Sequence, residues 1–120
     1  MAIKKWRREE VSPVDRLPDH IRVGPFDIKI IKWSVHEAVG RSCFGEFSGA
    51  AMYIALQQDM PSPIKAVDTL LHEVIHAIFW TYRILDEDKE ERTATLISRG
   101  MTQVHRDNAW LAPWIAETLS

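Results

Sequence analysis

The chain has 120 residues, 46% hydrophobic and 27% charged, with a formal net charge of −2 at neutral pH. These proportions suit one globular domain and exclude fibrous and fully disordered classes, and the near-neutral balance gives no global reason to expect a nucleic acid or an anionic membrane as partner. Cys43 is the only cysteine, which excludes an internal disulfide framework and a cysteine-built zinc knuckle and suits a reducing, cytoplasmic setting.

Residues 1–20 mix charges with Pro13 and Pro18 and have no periodicity, so they read as an extended N-terminal arm, with the domain proper at 21–120. The basic cluster Lys4, Lys5, Arg7 and Arg8 around Trp6 is followed at once by Glu9 and Glu10, and reads as a solvated tail. No apolar segment follows it, and no run of about 18 to 20 apolar residues occurs, so neither secretion nor membrane insertion is expected.

From Ile21 the pattern changes. Ile21-Arg22-Val23 and then Phe26-Asp27-Ile28-Lys29-Ile30 alternate apolar and polar residues, with Gly24-Pro25 as the break, which predicts a half-buried strand or hairpin. A second hairpin is expected where Phe44-Gly45-Glu46-Phe47-Ser48-Gly49 leads through small residues into Met52-Tyr53-Ile54-Ala55-Leu56. After Pro61 and Pro63 comes a helix over residues 64–82. There Val67, Leu70, Leu71, Val74, Ile75, Ile78 and Phe79 cover more than one narrow stripe, so the helix is expected to be central and largely buried.

Acidic Asp86-Glu87-Asp88 then introduces a helix over 89–106, with Thr93, Leu96, Ile97, Gly100, Met101 and Val104 on one face. Asp107-Asn108 ends it, and residues 109–119 form a short closing helix. The fold class is α+β, a small antiparallel or mixed sheet packed on the central helix and a second helix.

Chemistry concentrates in His72-Glu73-Val74-Ile75-His76. Positions four apart on a helix differ by about 40° around the axis and one turn along it, so both imidazoles can reach one ion. Glu73 is rotated by about 100° from His72 and can reach a water on that ion instead. Three protein ligands on zinc leave a place for water, whose pKa falls to about 7, and a nearby carboxylate takes the proton as the hydroxide attacks a carbonyl. His72 and His76 are therefore the expected zinc ligands and Glu73 the expected general base. Two imidazoles and a carboxylate in an otherwise apolar helix would each cost several kcal/mol, roughly, to bury without partners, which favours a metal over accident.

The third ligand is sought among Glu90, Glu91, Asp86, Asp88 and His105. Glu90 precedes Thr93, Ile97, Met101 and Val104 at helical spacing and should share their buried face, so it is preferred, with Glu91 as the alternative.

Thr69-Leu70-Leu71-His72-Glu73-Val74-Ile75-His76-Ala77, the acidic pair beyond it, Gly100-Met101 and Arg106-Asp107-Asn108 resemble a family of small phage and prophage zincin-like proteins. The resemblance spans about residues 21–119. It implies a minimal gluzincin, similar in layout to SprT-like zincins, with a small sheet, an active-site helix and a second helix giving a glutamate ligand. In that family Asp-Asn is commonly followed by proline, whereas Ala109 stands here. The implied activity is that of a zinc metalloendopeptidase in a bacterial host cytoplasm, acting on a peptide or protein substrate. The alternative is a non-catalytic zinc-binding module that holds a peptide without cutting it.

Such an enzyme pairs its substrate with a strand beside the active-site helix, and Met52-Tyr53-Ile54-Ala55-Leu56 is expected to be that strand. Trp80, one turn beyond His76, is a candidate cleft wall or core residue, and Tyr82 a candidate oxyanion donor. Lys29, Lys32 and Arg41 suggest a basic rim, Cys43 a small buried hydrophobe, and His20 and His36 have no partner at ligand spacing.

Overall fold

A computed structural model of the chain describes residues 11–38, 40–41 and 43–120. The basic cluster near the N-terminus lies outside them. Two hairpins form where the alternation placed them. In the first, β1 (His20–Val23) pairs antiparallel with β2 (Phe26–Trp33), with Val23 opposite Phe26. That register leaves a two-residue loop, and Gly24 enters it at φ 57° ahead of Pro25, the order a type II′ turn requires. The second joins β3 (Gly45–Ser48) to β4 (Tyr53–Gln57), also antiparallel.

The hairpins meet through β2 and β4, which run parallel, Lys29 opposite Tyr53 and Trp33 opposite Gln57. The sheet order is β1-β2-β4-β3, a mixed four-stranded sheet in an α+β fold. β4 is therefore internal, and among the described residues β3 is an open edge. The expectation that the strand at 52–56 is free to receive a substrate is corrected by this order: both its edges are taken, and Ile54, Ala55 and Leu56 are buried. The short helix α1 (Val35–Ala38), with no buried residue, lies between β2 and β3 where only a loop was expected.

α2 (Pro63–Tyr82) is the central helix. Ser62 caps it, its hydroxyl accepting the Lys65 N–H at 3.1 Å, and Pro63 occupies the first turn, where no N–H is needed. Its Ala66, Leu70, Val74, Ala77 and Ile78 are fully buried and share one core with Ile28, Ile30, Ile54 and Leu56 of the sheet. α3 (Glu90–Asp107) is amphipathic, and of its residues only Gly100 and Val104 are buried. A Cβ on Gly100 would come within 2.8 Å of Ile78 Cγ2, so glycine is what lets α3 cross α2 closely there. α4 (Leu111–Leu119) buries Leu111 and Trp114 against the same core.

Asn108 ends α3 as expected and ties it to β1. Its side chain accepts from Arg22 N at 2.9 Å and donates to the carbonyls of Arg22 and Val104, which satisfies a buried amide completely. Residues 11–19 are not the loose arm that their composition suggested. Val14 and Leu17 belong to the core, a 3-10 turn spans Val14–Arg16, and the Trp114 indole N–H donates to the Pro13 carbonyl at 2.9 Å. Apolar side chains in a 3-10 turn follow neither strand nor helix period, so the burial leaves no pattern to read. Among the described residues, no helix is long and apolar enough to cross a membrane.

Candidate functional site

α2 carries His72 and His76 on its exposed arc while the opposite arc fills the core. Their Nε2 atoms face each other at 3.1 Å, with ring centroids 4.7 Å apart and ring planes at 75°. An ion placed about 2.05 Å from both nitrogens, the usual zinc–imidazole length, would see them roughly 100° apart, near the tetrahedral value. The pair fits zinc in donor type and in spacing. It falls one donor short of the three-ligand set of catalytic zinc sites.

Glu73 is buried, 6% exposed, between the histidine arc and the core. Burial raises its pKa above the ordinary carboxylate value; His72 and His76 pull it back, and Glu46 adds to the rise. A carboxylate made more basic in this way is better suited to take a proton near neutral pH.

The three residues line a cleft of about 700 Å³ between α2, β3 and the turn after α2. Phe47 and Trp80 form one wall, their rings 5.8 Å apart, and Phe26 backs Trp80 at 5.1 Å. Trp80 is thus a cleft wall and 41% exposed. Its indole fills the space above Gly49, where a Cβ would come within 2.3 Å of Nε1. Arg83, Ile84 and Leu85 form the end beyond His76. A second recess, on the other side of His72 and Glu73, is lined by Cys43, Lys65 and Asp68.

β3 offers its free edge to this cleft. Gln57 N donates to the Phe44 carbonyl at 2.8 Å, so residues 44, 46 and 48 hold the hydrogen-bonded places opposite β4. Gly45 and Phe47, which alternate with them, turn their N–H and C=O groups outward, and both line the cleft. Gly45 is packed so tightly that a Cβ would meet Ala55 O and Thr69 Cγ2 at 2.9 Å. Glu46 accepts a hydrogen bond from the Tyr53 hydroxyl, which raises the tyrosine pKa, and lies 3.8 Å from Arg41.

The other residues singled out from the sequence lie elsewhere. Glu90 and Glu91 are exposed and do not line the cleft, and among the described residues no set of three His, Cys, Asp or Glu side chains is placed to hold a metal ion. The facing argument holds for Gly100 and Val104 but not for the first turn of α3. Glu90 lies ten residues, roughly 15 Å along the axis, ahead of the crossing at Gly100, and its side chain is exposed. Asp88 is committed to its own loop, accepting from Leu85 N and from Arg92, while Asp86 and His105 are exposed.

Tyr82 faces a separate recess with Arg99, Thr102 and Arg106, away from the histidines. Cys43 is exposed and lines the second recess, where a small buried hydrophobe was expected. Of the expected basic rim, Lys32 donates to the carbonyls of Asp15 and Leu17, and Arg41 lies 4.0 Å over the Trp33 ring.

Sequence reasoning missed Arg83. It closes α2 in the left-handed region at φ 53°, while Ile84 N donates to the Phe79 carbonyl at 2.9 Å in a Schellman-type end. Glycine or asparagine usually takes that place, and a β-carbon there costs roughly 1–2 kcal/mol. No spacing rule marks it. Against known proteins, no family model matches the chain, and no curated protein or solved structure is significantly similar to it.

Proposed function

We propose that the protein is a zinc-dependent metallopeptidase on a minimal zincin-like scaffold, of the small phage and prophage kind that its motif resembles. The observation that carries this reading is the pair of Nε2 atoms 3.1 Å apart on α2 with a buried glutamate between them at the floor of one cleft. A bound zinc ion would supply a Lewis acid that lowers the pKa of water to about 7 and polarises a carbonyl.

The chain's own groups account for the rest. His72 and His76 offer Nε2 lone pairs when their protons sit on Nδ1. The outward N–H and C=O groups of Gly45 and Phe47 pair with an extended peptide and hold its scissile bond across the cleft. Glu73 removes a proton from the attacking water and returns it to the leaving nitrogen. One water is consumed: its oxygen joins the acyl carbon, the C–N bond breaks, and the products are a carboxylate and a protonated amine. A cytoplasmic setting accords with the lone cysteine.

Two measurements test the reading. Protein purified without added metal should contain zinc, with two nitrogen donors by X-ray absorption, and His72→Ala should lose it. Cleavage of a casein or mixed-peptide substrate should need that metal and fall by about 10²–10⁴-fold in Glu73→Gln, the range for a general base. If wild-type protein holds no metal when zinc is supplied, the peptidase reading fails and a peptide-binding module takes its place.

A further inference from the structure

We propose that Arg83 makes the cleft a receptor for the free C-terminal carboxylate of a peptide whose last side chain is apolar. This rests on the peptidase reading and goes beyond it, because it moves the cut from the interior of a chain, as an endopeptidase would make it, to the neighbourhood of its end.

Three observations converge on Arg83. It lines the same cleft as His72, Glu73 and His76, at the end formed by the turn after α2. No aspartate or glutamate among the described residues lies within ion-pair distance of it; Arg16 and Arg99 share that property but lie outside this cleft, and Arg22, Arg41, Arg92 and Arg106 each have such a partner. It also occupies a left-handed helix end, φ 53°, where glycine is the ordinary choice, so a local backbone preference does not account for arginine there. A guanidinium presents parallel N–H groups that match a carboxylate in a two-pronged pair, and it stays charged at any working pH.

The surroundings set the rest of the ligand. Trp80, on the wall, and Leu85, beside Arg83 in the chain, line the same cleft and are 41% and 53% exposed. An apolar side chain adjoining a carboxylate, the combination found at a peptide's last residue, covers these apolar surfaces and pairs with the cation. The rim is held in advance: Asp88 accepts from Leu85 N at 2.6 Å, Asp88 N donates back to the Leu85 carbonyl at 3.0 Å, and Ile84 is buried. A rim fixed before binding loses little freedom when a ligand arrives. The peptide then runs from Arg83 past the histidine pair along the edge of β3. Hydrolysis at the histidines adds water across one C–N bond near the end, leaving a new carboxylate on the longer piece and a free amine on the short C-terminal product.

The test uses the full, zinc-loaded chain and one hexapeptide ending in phenylalanine, made as the free acid and as the amide. Wild type should cut the acid with a kcat/KM about 10- to 100-fold above the amide, the range expected of a charge-assisted pair, and most of the difference should lie in KM. Arg83→Gly relieves the strained backbone and should fold at least as well by urea melting, yet bring acid and amide to parity; Arg83→Lys should keep part of the preference. Equal cleavage of the two peptides by wild type, or an undiminished preference in Arg83→Gly, overturns the proposal while leaving the peptidase reading intact. If zinc-loaded wild type cuts neither peptide, the peptidase reading fails separately, and calorimetric titration decides this one. Tighter binding of the acid that is lost in Arg83→Gly supports it, and equal or absent binding overturns it.

Discussion

α2 and α3 are of similar length, 20 and 18 residues, yet nine residues of α2 are buried against two of α3. The first is held along its whole length by the sheet and α4, with Ser62 and Pro63 fixing its start and Arg83 its end. The second buries only Gly100 and Val104, packs the half-buried Leu96, Ile97 and Met101 against the core, is tied by Asn108, and begins at Lys89 without a side-chain cap. Two imidazole nitrogens 3.1 Å apart keep that spacing only if the backbone beneath them cannot shift. The difference in anchoring accords with a close imidazole pair on α2, whereas the first turn of α3, with Glu90 and Glu91, is exposed.

Substitutions can break or sharpen this contrast. The largest effect is expected in the core: Leu70→Ala, at a fully buried position of α2, should cost about 2–5 kcal/mol by urea denaturation, while Leu96→Ala on the half-buried face of α3 should cost about 1 kcal/mol. Equal losses would mean that the two helices are anchored alike. A smaller effect separates the helix starts. Ser62→Ala removes a cap and should cost about 1 kcal/mol, whereas Lys89→Ser adds one where none exists and should raise stability by about 0.5–1 kcal/mol, both read as shifts in Tm.

The smallest effect is a pH slope at the far end of α3. Hydrogen bonds from Arg106 and Gln103 hold the Asp107 pKa at about 2, below the ordinary 3.8. Because the folded value is depressed, the stabilisation is complete above about 3.8 and is lost as pH falls through about 2. Asp107→Asn should flatten that part of the acid denaturation curve by lowering stability at neutral pH, where the contribution of the carboxylate is complete, toward the value already reached in acid.

Much of this was legible in the residues. Alternation at 21–30 and at 44–57 marked both hairpins, and the apolar sweep of residues 64–82 marked the helix that carries the histidines, because these patterns are local and repeat with the period of the element. The spacing of His72 and His76 likewise dictated a facing pair. What stayed hidden depends on contacts between distant segments. Nothing near Tyr53 announces that its strand lies parallel to β2, and so the free edge was assigned to β4 and not to β3. Glu90 has the right helical phase, but phase does not say where along α3 the crossing falls. The exposure of Cys43, expected to be buried, and the left-handed helix end at Arg83 stay hidden for a related reason, since neither leaves a periodic trace.

The hydrogen bond from Trp114 to the Pro13 carbonyl joins residues 101 apart. Closing a chain segment costs entropy that grows as about 1.5RT ln n, so hairpins separated by a few residues close cheaply and this clasp closes at the greatest cost of any side-chain contact described above. The cost falls when the sheet and α2 already hold the two segments near each other, because the loop left to close is then shorter. Val14 and Leu17 from one end of the described chain and Leu111 from the other share one core beneath this clasp, so loosening either end uncovers the other.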